Sequence, residues 1–341
     1  MKPRSVGLVV NPAAGAGAQR ALATAAAAID ALGPVEVFTG PGELGEAACT
    51  GHARGSSQRT VTVERLRSLT GRAATQELAV ATARRGVDAL VVVGGDGTLS
   101  DAATALHGAG LDVPLVGVGT GSTNAGALVS VDHTAVEHLS GALAEGHVAA
   151  LEATLTDQAH TLAFNDVVVG DTICGTVDGR FVNLAAEPFM RGERVPARPC
   201  PLRSPGARVY KVTEEGREVP TASGQEVGCV VVGFTRVGDF LGQALLGGLG
   251  LSSVAGVPAA CMVSSFPLVY VDPDQATHAA MEPLRSAYVG LSPGETVCLT
   301  GLSDGAVLIA DGNPLKLLEP TDLVEVRVHP SACRVLRPVG R

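Results

Sequence analysis

Short apolar runs that end in glycine-rich turns alternate with Ala-rich stretches through residues 1–150. Val6 to Val10 is a continuous apolar run with turn residues after it, the pattern of a buried strand. Gln19 to Leu32 is Ala-rich and stops at Gly33-Pro34, which predicts a helix with its termination signal. Val35 to Phe38 predicts a second strand, Ala73 to Arg85 a helix closed by Gly86, and Val87 to Val93 a third strand. Thr98 to His107 predicts a helix, Val113 to Val118 a fourth strand and Thr134 to Glu145 a further helix, with loops at Gly40 to Gly45 and Gly55 to Thr60. Strands and helices alternating at this spacing predict a parallel sheet with crossover helices.

Past Leu151 the pattern turns to strands: Thr161 to Val169, Val209 to Val212, Glu226 to Phe234, Thr296 to Thr300, Ala306 to Ala310 and Leu323 to His329. The reading is therefore an α/β fold class, with a parallel-sheet domain over 1–150 and a β-rich domain over 151–341. A chain of 341 residues is long for one core, which agrees with two domains. Glu187 to Gly206, dense in Pro and Arg, reads as an exposed loop or flap. Phe240 to Val271 has no charged side chain and is long enough to span a bilayer. Its repeated Gly and Pro break a helix, so buried strands joined by tight turns are expected instead, with no stable membrane insertion.

Composition narrows the function. Hydrophobic residues are 46% and charged residues 17%, enough apolar surface for a substantial core. A net charge of -9 argues against a general nucleic-acid binder and gives no attraction to an anionic membrane. The 7 cysteines are scattered, without a Cys-x-x-Cys pair, so neither a disulfide scaffold nor a zinc site is expected; a reducing, cytoplasmic setting fits. The apolar run at the N-terminus is too short for a signal peptide.

Three loops follow strands of the first half, where ligands sit in open α/β sheets. The first, Asn11 to Gly17, offers backbone N–H groups at a helix start; Asn11, Gly15 and Gly17 are its candidate phosphate contacts. A plain turn is equally compatible with that loop. In the second, Val91 to Val93 run into Gly94-Gly95-Asp96-Gly97-Thr98. Glycines there allow close approach of a ligand and positive φ, and they present Asp96 among phosphate-binding amides. A carboxylate so placed can take a hydroxyl proton, with Mg²⁺ or another divalent cation offsetting phosphate charge. The plainer alternative makes Asp96 the cap of the following helix. The third loop, Gly117 to Gly126, supplies Gly119, Thr120, Gly121, Ser122 and Asn124, small and hydroxyl-bearing groups suited to a ribose or phosphate.

Val10 to Gly17, Gly94 to Thr98 and the Gly119 loop, in that order, resemble the superfamily that unites NAD kinases with diacylglycerol and sphingosine kinases. The resemblance implies a Rossmann-like N-terminal domain and a C-terminal β-sandwich, with the end of the chain possibly returning to the first domain. It also implies Asp96 as catalytic base, ATP (or polyphosphate) as phosphoryl donor, a small-molecule nucleotide substrate and a homo-oligomer. Asn124 to Leu128 is similar to the Asn-x-Gly-x-Leu segment of NAD kinases, and Asn165-Asp166 to their Asn-Glu/Asp substrate motif. Gly42 to Glu46 and the length resemble the bacterial subgroup that includes the acetoin-catabolism X protein. The Thr-Pro-Thr-Gly-Ser-Thr-Ala-Tyr segment of that family has no counterpart; Val232 to Asp239 stands in its place. The acceptor therefore stays open between NAD(H) or a related nucleotide-like hydroxyl compound and a lipid, since Gly119-Thr120-Gly121 also resembles the lipid-kinase loop. A nucleotide-binding regulator without turnover is the third reading. For Asn165-Asp166, a turn or strand start is the plain alternative.

Overall fold

The computed structural model describes residues 2–14, 17–50, 59–120, 126–157, 159–178, 180–235, 257–267 and 284–339. The chain divides into two compact units, Met1–Ala149 with Ser331–Arg341, and Ala150–Pro330.

In the first unit the strands are β1 (Ser5–Val10), β2 (Glu36–Thr39), β3 (Thr60–Val63), β4 (Ala89–Gly94), β5 (Leu115–Gly119) and β6 (Val129–Asp132). They run parallel in the order β6-β5-β4-β1-β2-β3. Helices α1 (Ala18–Leu32), α3 (Gly71–Ala83) and α4 (Asp96–Gly108) supply the crossovers, with the short α2 (Glu46–Thr50) between β2 and β3. Because strand side chains alternate, Val6, Leu8 and Val10 of β1, Val91 and Val93 of β4, and Val116 and Val118 of β5 share one face with Ala25, Ile29 and Leu32 of α1. The helices α3 and α4 pack on each other and on β1 and β4. A sheet buried on both faces needs near-continuous apolar strands, which is why β4 is wholly buried.

The expected helix over Thr134 to Glu145 does not form. Asp132 accepts hydrogen bonds from the Thr134 N–H and hydroxyl, both 3.0 Å. A single 3₁₀ turn, Val136–Ser140, then buries Val136 and Leu139, and an extended Gly141 leads into β7 (Leu143–Leu155). One turn seats both apolar residues, so nothing drives a longer helix. The end of the chain, within the strand Val324–Pro338, rejoins this sheet beside β5 at Val335↔Leu115.

The second unit is antiparallel and β-rich. After β8 (His160–Ala163) come β9 (Asp166–Gly170), β10 (Thr172–Val177), β11 (Arg180–Ala185), the short α5 (Ala186–Met190), β12 (Arg208–Val212) and β13 (Glu218–Ser223). Then follow β14 (Cys229–Phe234), β15 (Ala259–Ser264), β16 (Ser286–Leu291), β17 (Thr296–Thr300), β18 (Val307–Ala310), β19 (Asn313–Leu317) and β20 (Val324–Pro338). One sheet runs β16-β15-β14-β9-β18-β19; a ladder β13-β12-β17-β20 and the pair β7-β8 belong to another. The expected strand Thr161 to Val169 is in fact two, broken at Phe164-Asn165. Glu187 to Gly206, expected as an exposed loop or flap, is mostly exposed, and backbone bonds tie it down: Ala185 N–H donates to Val195 at 2.9 Å, Ala197 N–H to Asn183 at 3.0 Å and Leu202 N–H to Gly228 at 2.8 Å. Most of Phe240 to Val271 lies outside the described residues. Among those described, no helix is long and apolar enough to cross a membrane. None of the 7 cysteines is in a disulfide.

Candidate functional site

Parallel pairing sets Val10 beside Val93 and Gly94 beside Gly119, so β1, β4 and β5 end together at one edge of the sheet. Two further backbone bonds continue the ladder into the loops. Asn11 N–H donates to Val93 at 3.0 Å, and Thr120 N–H donates to Gly94 at 2.8 Å. The fold thereby brings Asn11, Gly94, Gly95, Asp96, Thr98, Gly119 and Thr120 to one place. Gly17 caps α1 with φ 94°. Gly97 lies in the first turn of α4. Gly15, Gly121, Ser122 and Asn124 lie outside the described residues.

The α4 helix starts two residues before the position expected from the sequence. Gly95 is the N-cap, with φ -86°, and Asp96 is the first helical residue. The capping alternative for Asp96 therefore does not hold, because Gly95 occupies the cap position. Positive φ is not the reason for glycine at Gly95 either. At Gly94 the reason is contact: a Cβ there would stand 2.6 Å from Thr98 Cβ. Close approach lets Thr98 tuck under the loop, where its hydroxyl accepts from Asn11 Nδ2 at 2.8 Å, while Asn11 Oδ1 accepts from Ala13 N–H at 3.0 Å. Asn11 thus ties the first loop to the second.

Asp96 stands at the positive end of α4, where N–H groups lack helical partners and favour negative charge. Its Oδ1 accepts the Gly126 N–H at 3.2 Å. A Cβ on Gly126 would lie 2.8 Å from that oxygen, so only glycine lets this backbone approach the carboxylate. Asn124, two residues before Gly126, is the candidate the sequence offers; Gly126 itself could have been found from its place in the small-residue loop. Thr120 is 4% exposed and its hydroxyl has no hydrogen-bond partner among the described residues. Burying a hydroxyl unpaired is costly, and a ligand oxygen reaching this edge would satisfy it.

Asn165 and Asp166 form a corner in the second unit, between β8 and β9. Asp311, in the turn from β18 to β19, folds that corner. Its carboxylate accepts the N–H groups of Phe164 at 2.8 Å, Asn165 at 2.7 Å and Asp166 at 3.2 Å, and its own N–H donates to Asp166 O at 3.0 Å. Asp311 can do so because it adopts φ 48° and is followed by Gly312 at φ 76°, a tight hairpin turn. The Asn165 side chain makes no hydrogen bond among the described residues. Asp166 opens β9, as its plain reading had it, and its carboxyl is pushed up to about 7, first by burial and then by the charge of Asp311. Such a displaced carboxyl, with no side-chain hydrogen bond among the described residues, is the kind of group found at functional sites. In the segment that replaces the Thr-Pro-Thr-Gly motif, Thr235 spends its hydroxyl on the carbonyls of Val257 and Pro258, at 2.8 and 3.0 Å. Residues 236–239 lie outside the described residues.

Residues 6–147 match the ATP-NAD kinase N-terminal domain family. An uncharacterised protein of Archaeoglobus fulgidus is 32% identical over 253 residues, 74% of either chain. Among solved structures, yeast NADH kinase complexed with NADH is similar with a TM-score of 0.50 at 13% identity, over 99% of this chain and 84% of that one. A Bacillus anthracis protein assigned as a diacylglycerol kinase is similar with a TM-score of 0.53 at 13% identity, over 100% of both chains. At such identities the structural likeness speaks for the fold alone.

Proposed function

We propose that this chain, whose residues 6–147 match the ATP-NAD kinase N-terminal domain family, is a kinase of the superfamily that unites NAD kinases with diacylglycerol kinases, and that it phosphorylates a hydroxyl of NAD(H) or a related nucleotide-like small molecule with ATP. The observation that carries this reading is Asp96: a carboxylate at the start of α4, held by the Gly126 N–H, where three glycine-rich loops meet at the carboxyl edge of β1, β4 and β5. In the reaction the acceptor oxygen bonds to the γ-phosphorus, the bond from that phosphorus to the β–γ bridging oxygen breaks, and ADP leaves. The proton of the acceptor hydroxyl passes to Asp96.

Asn11, Gly94, Gly95, Gly97, Thr98 and Gly119 shape the phosphate side, and the Thr120 hydroxyl offers one further contact. Gly15, Gly17 and Gly121 belong to the same loops and are assigned with them. Asn165 and Asp166, with Ser122 and Asn124, bind the acceptor. Mg²⁺ takes one or two carboxylates together with substrate phosphates. Asp96 beside bound ATP fits that donor set, and no cage of three His, Cys, Asp or Glu occurs among the described residues. The ion would offset phosphate charge.

The test offers γ-labelled ATP and Mg²⁺ with NAD, NADH, nucleosides and diacylglycerol vesicles in parallel. Label in NAD, NADH or a nucleoside supports the reading and names the acceptor. Label in lipid alone transfers the chain to the lipid branch. ATP binding without transfer to any acceptor sinks the reading in favour of a regulator.

A further inference from the structure

Two arginines on β20 lie three residues apart in the first unit, and among the described residues only one has carboxylate partners. Arg334 donates to Glu145 at 2.7 Å, through both Nε and one terminal nitrogen, and to Asp112 at 3.1 Å. Those partners hold its charge in place. Arg337 is half-buried, and among the described residues no carboxylate faces it. Its terminal nitrogen donates instead to the carbonyl of Ala127. Burial pushes the Arg337 pKa down, with Cys333 acting in the opposite sense. A cation kept at that cost without an ion pair calls for another reason.

The reason lies in what Ala127 belongs to. Val129 N–H donates to Gly126 O at 3.1 Å and closes a tight turn over Gly126 to Val129. The Leu128 carbonyl packs on β5, where a Cβ at Gly117 would lie 2.1 Å from it. The turn is thus held at Leu128 by packing, at Ala127 by Arg337, and at Gly126 it delivers the N–H that meets Asp96. We propose that Arg337 is a positioning residue for the phosphoryl transfer: by clamping the Ala127 carbonyl it fixes the turn whose Gly126 N–H orients the Asp96 carboxylate. This rests on the assignment of Asp96 as the base. It also gives the returning end of the chain a part in the site, although it is some two hundred residues away in sequence from that turn.

Arg337→Met removes the clamp and keeps the apolar stem. In the labelled-ATP assay, kcat is expected to fall about tenfold to a hundredfold, as a misplaced catalytic group does, with KM for ATP unchanged. Arg337→Lys keeps a charged donor and is expected to recover part of the loss. In the Asp96→Asn background, Arg337→Met is expected to cost nothing further, because it acts through Asp96. If Arg337→Met does not fold, Arg337→Lys alone reads the same split, a lower kcat at constant KM for ATP. A folded Arg337 variant with full kcat overturns the inference, as does a raised KM for ATP at full kcat, or additive losses in the double variant. Failure of the parent reading looks different: Asp96→Asn would itself turn over normally.

Discussion

At the edge of the first sheet, Asn11, Asp96 and Thr120 each stand one or two residues beyond a strand, and the parallel ladder alone brings them together. In the second unit, Asn165 and Asp166 take their shape from Asp311, 145 residues further on than Asp166. The first corner is made of backbone and small residues, and the Gly126 N–H meets its carboxylate. The second is made of two carboxylates forced close, one absorbing three N–H groups and the other left to titrate high. A phosphate site can be built from a repeated strand-loop-helix unit, because anions are recognised by N–H groups that every residue carries. A site for an uncharged, hydroxyl-rich group needs particular side chains at fixed angles, and here a distant hairpin supplies the fixing.

Substitutions that loosen either corner test this contrast. The largest effect is expected at Gly126→Ala, whose Cβ would push on Asp96 Oδ1 from 2.8 Å. Transfer should slow about a hundredfold while the thermal midpoint moves little; an unimpaired rate would mean that Asp96 tolerates displacement. Next comes Asp311→Asn, which weakens three hydrogen bonds to one carboxylate. KM for the acceptor should rise about tenfold, with KM for ATP unchanged. A matching rise for ATP would show that the two corners are not separate in function. Thr98→Val removes the acceptor for Asn11 Nδ2 and should cost about 1 kcal/mol in denaturant unfolding. No change there would deny the tie between the first two loops.

The smallest effect is a slope. In the folded chain Asp166 titrates near 7, above its ordinary 3.8, so the fold binds this proton more tightly than the unfolded chain does. Its contribution to stability is full below the ordinary value and is lost as pH rises through about 7. Asp166→Asn should flatten that part of the pH dependence of the urea midpoint. An unaltered slope would assign the titration to another group.

The same contrast governs how much could be read from the chain. The parallel sheet and the glycine-rich loop around Asp96 were legible because each strand is a short apolar run with its loop directly attached. The start of α4 was misplaced by two residues, since Gly95 caps through the backbone and leaves no side-chain signal. The helix expected after Asp132 failed because an Asx turn and one 3₁₀ turn already satisfy its apolar pair. Asn165-Asp166 could be noticed in the sequence, but the break in the strand there depends on Asp311, and no local pattern announces a partner so far away. Arg337 is hidden for the same reason: its partner is a backbone carbonyl in a turn that local sequence does not connect to it.

Asp96 is the proposed base, and the measurement that tests it is the single-turnover rate of γ-phosphoryl transfer from Mg²⁺-ATP, for the native chain and for Asp96→Asn, with ATP binding followed by calorimetry. The expected result is a rate lower by about 10²- to 10⁴-fold in the variant with ATP still bound. Transfer by Asp96→Asn at the native rate would contradict the assignment of the base and, with it, the site built around it.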